Sequence, residues 1–445
     1  MPRSRAQAGN CRVSIAGQNC PTRYPGPVQN PANERKRIVV TGIGVIAACG
    51  IGRDAFREAI RAGRSGIRPI TSFDAGTCAA RCAGEVRDWR GADFFPPHKL
   101  KRFDRYVQFA VASAMLALDD AALPWSRERP QARIGVSFGT GLGGISHAEQ
   151  EHGRFLKKGM RGVNPALALQ VFGGSAHSNI AIEFGFRGPC ATQSNSCASG
   201  VIAVGEAMRY LRDGWADVMI AGGAEAPLCP LTFSAFDFIK TMSRWQGEPA
   251  ALACRPFDAR RDGFVMGEGG CSLVLETLEH AERRGADIYA ELTGYAMNND
   301  AFHMTSPLPS GESVIACMEA ALRDAGTSPA EVGYINAHAS STQLNDANEA
   351  MCIRAVFGDT PPPVSGTKPY TAHPLGASGA METAICCLAL RDQWLPPTLH
   401  YETPDPACDL DIIPNIGRDA KIRVALNNAF GFGGANSTLV LRSMR

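Results

Sequence analysis

Gly188-Pro189-Cys190-Ala191-Thr192-Gln193-Ser194-Asn195-Ser196-Cys197-Ala198-Ser199-Gly200 sets a cysteine among small residues at the start of a helical pattern. From Ser199 onward Val201, Ile202, Val204, Ala207, Met208 and Leu211 recur at helical spacing until Gly214 ends the run. Unpaired amides and partial positive charge at a helix N-terminus favour an anion, so the Cys197 thiol is expected to ionise readily. A thiolate there is a candidate covalent nucleophile. The plainer reading is one space-filling residue among fifteen cysteines.

Around this stretch, strand-like and helical runs alternate. Strands are expected at Arg37–Thr41, Ile134–Ser137, Val218–Ala221, Cys271–Leu275, Gly333–Asn336, Ile422–Leu426 and Ser437–Leu441. Helices are expected at Arg105–Ala122, Ser199–Arg212, Leu278–Arg284, Glu312–Ala325, Asp346–Phe357 and Gly376–Arg391. That alternation implies an α/β layered body. Thr41-Gly42 and Thr293-Gly294 each close a strand pattern, a hint of duplication. The expected division is a tail over 1–35, a half carrying Cys197 over 36–285 and a second half over 286–445.

A chain of 445 residues exceeds one small core. A formal charge of +2, with 20% charged and 45% apolar residues, suits an ordinary enzyme and argues against a nucleic-acid or membrane-surface field. No apolar run approaches the roughly 20 residues of a membrane span. The fifteen cysteines contain no CxxC pair, so no metal site or disulfide framework is expected and a reducing, cytoplasmic setting is. The first 35 residues carry Arg3, Arg5, Arg12, Arg23 and five prolines, with no acid before Glu34. That composition fits a disordered tail, with an organelle transit segment as the alternative.

Gly42-Ile43-Gly44-Val45-Ile46-Ala47 fits a dinucleotide fingerprint but lacks its acidic residue on a following strand, so a tight strand exit is expected. Gly139–Gly144 lacks the Gly-Lys-Ser/Thr ending of a phosphate loop and reads as a close-packed turn. Three further stretches carry chemistry. Tyr334-Ile335-Asn336-Ala337-His338-Ala339-Ser340-Ser341-Thr342 ends a strand on a histidine. Lys368-Pro369-Tyr370-Thr371-Ala372-His373 sets a second histidine before a helix. Asn427-Asn428-Ala429-Phe430-Gly431-Phe432-Gly433-Gly434-Ala435-Asn436 offers backbone amides to a cavity. A helix-mouth cysteine, two histidines and an amide donor together suit acyl transfer.

In the order cysteine, histidine, lysine, histidine, Gly-Phe-Gly-Gly, the chain from Arg37 to Leu441 resembles the β-ketoacyl-acyl carrier protein synthases of the thiolase-fold condensing enzymes. The likeness is to the elongating type II group and its polyketide relatives. Arg255-Pro256-Phe257-Asp258 and Gly267-Glu268-Gly269 share it. The resemblance implies a thiolase-like α/β fold, two duplicated halves in an α-β-α-β-α stack. It implies an acyltransferase in which Cys197 holds an acyl chain, His338 and His373 stabilise the enolate of decarboxylating malonyl-carrier protein, and Lys368 orients groups around His338. The plainer reading of Lys368 is a buried partner of Glu349. The amides of Cys197 and Phe430 would form the oxyanion hole, with Phe430 gating the acyl pocket. Thr305, Ser340 and Thr342 would line the pantetheine tunnel. No cofactor is implied beyond the carrier's 4′-phosphopantetheine.

The implied partners are an acyl carrier protein and a second subunit, identical or related. Carrier proteins are acidic, so Lys101, Arg102, Lys157, Lys158, Arg161 and Arg244 are candidate docking cations. Three details depart from the usual pattern: His338-Ala339-Ser340-Ser341-Thr342 where Gly-Thr-Ser-Thr normally follows the histidine, Asn195-Ser196 before the nucleophile in place of Thr-Ala, and Pro165–Leu169 at the expected pocket wall. They point to an altered acyl channel. A thiolase would need a second cysteine where Gly431-Phe432-Gly433-Gly434 stands, and the initiating group an asparagine in place of His373. A noncatalytic chain-length partner would lack Cys197; a cysteine hydrolase would need water admitted instead of malonyl.

Overall fold

The computed structural model describes residues 35–445. The segment read as a tail lies outside them except for Arg35, whose guanidinium meets Asp324 at 2.6 Å. The strands that build the core are β1 (Ile38–Ala47), β2 (Ile134–Gly139), β3 (Cys190–Gln193), β4 (Val218–Glu225) and β5 (Gly269–Thr277) in the first half. The second half supplies β6 (Ala290–Asn299), β7 (Val332–Ala337), β8 (Val364–Gly366), β9 (Val424–Gly431) and β10 (Ala435–Arg442).

In space the first half runs β1-β5-β4-β2-β3 and the second β6-β10-β9-β7-β8, so corresponding strands have corresponding neighbours. Directions repeat as well. The fourth strands, β2 and β7, run parallel to both their neighbours, and the remaining pairs are antiparallel. The halves meet where Ile38–Val40 pairs with Ala290–Leu292, giving one 11-stranded sheet whose eleventh strand, Gly50–Ile51, pairs with the end of β1. β1 pairs with β5 over most of its length but with β6 only at that corner, so the two half-sheets diverge from the seam.

Five helices set the layers: α1 (Arg105–Asp120), α2 (Ser199–Arg212), α3 (Glu312–Ala325), α4 (Gln343–Phe357) and α5 (Ser378–Asp392). α1 covers β1 and β5, and α3 covers β6 and β10 in the corresponding place. α2 and α5 lie between the half-sheets and touch strands of both. The expected helix-sheet-helix-sheet-helix stack results. Its centre is apolar, with Val201, Met208, Leu211, Ile385 and Leu390 buried, each contributing about 1.5–3 kcal/mol by leaving water.

The glycines of β1 are not a strand exit. β1 continues through them to Ala47, buried at every position. A Cβ at Gly42 would stand 2.2 Å from the Ala117 carbonyl oxygen, and one at Gly44 2.0 Å from that of Ser113. These glycines let α1 lie directly on the strand, which local sequence reads as turn punctuation. Gly294 does the same under α3, 2.3 Å from the Ala321 oxygen. The Thr-Gly pairs are therefore equivalent positions of a repeat.

The inner helices approach as closely. A Cβ at Gly200 would lie 2.8 Å from the Gly376 oxygen, and one at Gly379 2.8 Å from the Val201 nitrogen. Each glycine ends an Ala-Ser-Gly triplet at its helix start, Ala198-Ser199-Gly200 and Ala377-Ser378-Gly379. The contact brings what precedes each helix, Cys197 and His373, to one point. Strands β3 and β8 and the helices Ile145–Lys158 and Ser175–Phe184 were not expected from pattern, and β6, expected to close at Thr293-Gly294, runs on to Asn299. β3 and β8 are too short for periodicity, and Gly294 interrupts β6.

Candidate active site

Cys197 sits in a single 3-10 turn, Ser196–Ala198, between β3 and α2, with 7% of its surface exposed. The turn is tightly built. Ser196 holds φ +54, and the Ser199 hydroxyl accepts from the Asn195 amide at 2.8 Å while donating to the Ser196 carbonyl at 2.6 Å. Gly431 rests on it, since a Cβ there would lie 3.1 Å from the Cys197 nitrogen. Burial pushes the thiol up to about 11, against the pull of the Ser196 hydroxyl, the Lys368 charge and the Phe432 amide. Burial therefore works against the ready ionisation expected at this helix mouth, because losing water disfavours the anion.

His338 directly follows β7, its ring 5.4 Å from that of His373 at 80°. Glu349 on α4 holds its loop by accepting from the amides of His338 and Ala339, both at 2.8 Å. Ala339 and Ser341 take left-handed φ values of 42 and 68. His373 Nδ1 lies 2.7 Å from the Ser378 hydroxyl, and the Phe264 ring is 5.5 Å away at 86°. Burial, then the charge of Lys368, pushes both imidazoles well below their ordinary range, so both are neutral.

Lys368 is buried behind His338. Its ammonium donates to Glu382 at 2.5 Å and to the His338 carbonyl, with His338 Nδ1 at 3.5 Å. The expected ion pair with Glu349 is corrected to Glu382 on α5, because the Glu349 carboxylate is occupied by two backbone amides. An ammonium has no acceptor, so His338 turns a lone pair at Nδ1 toward it and keeps its proton on Nε2.

A cavity of about 350 Å³ gathers Cys197, His338, His373 and Phe430, with Thr305, Ser340 and Thr342 among its lining residues. Ser340 and Thr342 share a hydroxyl–hydroxyl bond of 2.9 Å, and Thr342 caps α4. Phe430, expected to be the gate and amide donor, lines this cavity, packs its ring on His338 at 5.6 Å and pairs opposite Asn436 within the β9–β10 hairpin. The amide that faces the Cys197 sulfur belongs to Phe432. Two phenylalanines two residues apart in a glycine-rich stretch were not separable by pattern. Phe432 stacks on Phe236 at 6.1 Å and stands between the first cavity and a second of about 400 Å³.

The second cavity is lined by Leu142, Leu375, Ser194, Asn195 and Ser196. The segment 165–169, expected as pocket wall, lines neither cavity; its Leu169 is 70% exposed. Glu225 at the end of β4 was missed altogether. Fully buried, it accepts from the amides of Gly141 at 2.6 Å, Leu142 at 3.0 Å and Gly376 at 3.1 Å. It thereby ties the Gly139–Gly144 turn to the turn after His373, and burial pushes its carboxyl up to about 7.

All six candidate docking cations are exposed, and none lines the cavity. Arg244 adjoins it, its amide donating at 2.9 Å to Asp262 in the cavity wall. The neighbours of Lys101 and Arg102 in sequence are structural instead: Lys99 pairs with Glu183, and Arg105 with Glu268 at 2.6 Å. Lys240, in the wall itself, is a cation that sequence reasoning passed over.

The N-terminal domain of beta-ketoacyl synthases matches residues 35–281 and the C-terminal domain residues 289–402. The chain belongs to the beta-ketoacyl synthase family. It is 42% identical over 410 residues to a 3-oxoacyl-[acyl-carrier-protein] synthase 2 of Coxiella burnetii, covering 92% of this chain and 99% of the relative. A synthase of the same description from Synechocystis is 41% identical over 92% of this chain and 98% of its own. Among solved structures, a type II polyketide acyl-carrier protein in complex with its ketosynthase bound to the hexaketide superposes with TM-score 0.84 at 37% identity, covering 93% of this chain and 100% of that one. The ishigamide ketosynthase/chain length factor superposes with TM-score 0.87 at 34% identity over 93% and 100%. The fold is therefore the thiolase-like one expected, and the chain is a condensing enzyme of the acyltransferase class. No helix among the described residues is long and apolar enough to cross a membrane.

Proposed function

We propose that the protein is a β-ketoacyl-acyl carrier protein synthase that elongates a chain held on Cys197. The observation that carries this reading is the convergence of Cys197, His338 and His373 on one cavity. The Cys197 thiolate attacks the thioester of an acyl-carrier protein and the carrier's thiol leaves, giving an acyl-enzyme. Malonyl-carrier protein follows through the mouth at Thr305, Ser340 and Thr342, whose hydroxyls suit the amides of a pantetheine arm. Its carboxylate leaves as carbon dioxide and the bonding electrons pass to the α-carbon. The enolate oxygen takes hydrogen bonds from Nε2–H of both histidines.

Lys368 fixes that tautomer in His338, and the Ser378 hydroxyl does so in His373 by donating to Nδ1. The carbanion then attacks the acyl thioester, whose oxyanion is met by the amides of Cys197 and Phe432, and the sulfur leaves. Such preorganised donors are each worth about 10²–10³ in rate. The exposed cations dock an acidic carrier from the cytoplasm, and the two halves divide between residues 285 and 286.

A second reading makes the chain the ketosynthase of a pair with a chain-length subunit. β3 ends the sheet, and Leu169, Phe172 and Ile182 nearby in sequence are exposed apolar residues, which supports a partner there, identical or related. Intact-mass analysis after incubation with acyl-carrier protein tests the function. An acyl adduct on Cys197 that malonyl-carrier protein converts to a 3-ketoacyl product two carbons longer is expected. An adduct discharged by water alone would make the protein a hydrolase.

A further inference from the structure

The hydroxyl beside the nucleophile has no part in these steps. Ser196 adopts φ +54, a conformation disfavoured for any residue with a Cβ. Its carbonyl is bound by Ser199 at 2.6 Å, and Gly431 closes over its side chain, where an added Cβ would come within 3.2 Å of the Ser196 Cβ. Held this way, Ser196 Oγ lies 3.8 Å from Cys197 Sγ, within range of a hydrogen bond to sulfur. It has no other hydrogen-bond partner among the described residues.

We propose that Ser196 is a positioning residue whose hydroxyl donates to the Cys197 sulfur and sustains its thiolate. The proposal rests on Cys197 being the acyl-accepting nucleophile. A buried thiolate needs donors, and the charges facing this one largely oppose each other. Lys368 approaches from the segment before His373, but Glu382 on α5 pairs with it and Glu225 approaches from the end of β4. His338 and His373 are neutral. Uncharged donors are left to hold the anion: the Phe432 amide, which is backbone, and the Ser196 hydroxyl, which sequence can vary. During acyl transfer sulfur becomes a neutral thioester and the hydroxyl loses its anionic partner. It regains that partner when sulfur leaves in the condensation.

Removing the donor raises the thiol's ionisation to higher pH. A one-unit rise cuts the thiolate population about tenfold, and the greater intrinsic nucleophilicity of the more basic anion restores about threefold of that. The test is the iodoacetamide alkylation rate of Cys197, read by peptide mass spectrometry between pH 6 and 9. Ser196→Ala should alkylate roughly threefold more slowly throughout, with acyl-carrier protein KM unchanged. Ser196→Gly, which suits the left-handed backbone, should behave the same and covers the case of an unstable alanine variant. Equal or faster alkylation in a folded variant overturns the proposal. A folded wild-type protein whose Cys197 takes neither iodoacetamide nor an acyl group overturns the nucleophile reading instead.

Discussion

At the start of α2, Ala198-Ser199-Gly200 follows Cys197; at the start of α5, Ala377-Ser378-Gly379 stands four residues after His373. The glycines do one job in both places, letting the helix ends meet. The serines differ. Ser199 serves the backbone, bonding Asn195 and Ser196, whereas Ser378 serves a side chain, His373 Nδ1. A duplicated framework thus supplies placement, and in the proposed reaction the residue each half presents supplies chemistry: a nucleophile from the first, hydrogen-bond donors from the second.

The sharpest way to break this division is to disable each half separately. Cys197→Ala should give neither acyl adduct nor 3-ketoacyl product. His373→Ala should still form the adduct but lose about 10²–10³ in condensation rate, the loss typical of one oxyanion donor. Intact mass reads the adduct and product chromatography the condensation. If His373→Ala abolishes acylation as well, the halves do not divide the reaction.

Lys368 lies where the halves' contributions meet, and its loss should register in stability and pH dependence. Lys368→Met leaves Glu382 buried without a counter-ion and should destabilise by about 3–5 kcal/mol in urea unfolding, with Glu382→Gln restoring much of it. The Lys368 charge also helps hold both histidines neutral. Without it they protonate at higher pH, so the acid limb of the condensation profile should move upward. An unmoved limb would leave Lys368 as packing alone.

The repeat itself was only partly legible. α2 and α3 match their expected bounds residue for residue, because a buried face at helical spacing is a local signal. Cys197, His338 and His373 were readable as motifs at element ends, and they share one cavity. Burial was not readable: it pushes the Cys197 thiol up to about 11 and the Glu225 carboxyl up to about 7. Partner choice was not readable either, since Glu349 and Glu382 are equally plausible neighbours of Lys368 until backbone amides claim one. The Ala-Ser-Gly repeat was in plain view, but three small residues carry no weight until two helices are seen touching.

That contact can be tested directly. Gly379→Ala forces a methyl to within 2.4 Å of Val201 Cγ2 and 2.8 Å of the Val201 nitrogen. The helices must part, and overpacking of this kind costs about 1–3 kcal/mol in urea unfolding. Gly200→Ala should match it, because the approach is mutual. Unequal losses would show that one helix yields and the other is fixed.

The smallest expected effect concerns the loops after the equivalent strands β2 and β7. The first half turns with Gly139, Gly141, Gly143 and Gly144, while the second turns with Ala339 at φ 42 and Ser341 at φ 68. An alanine in the left-handed region is penalised by about 1–2 kcal/mol, and the freedom a glycine loses on folding offsets about 0.5–1 kcal/mol of any relief. Ala339→Gly should therefore stabilise by roughly 0.5 kcal/mol in urea unfolding, the difference of those two terms. A destabilisation would mean that the methyl's burial beside Gly366 outweighs the strain. Because Glu349 grips the amides on both sides of His338 Cα, through His338 and Ala339, kcat should change little. A marked fall in kcat with unchanged KM would instead show that the strained backbone, and not Glu349, aims the histidine.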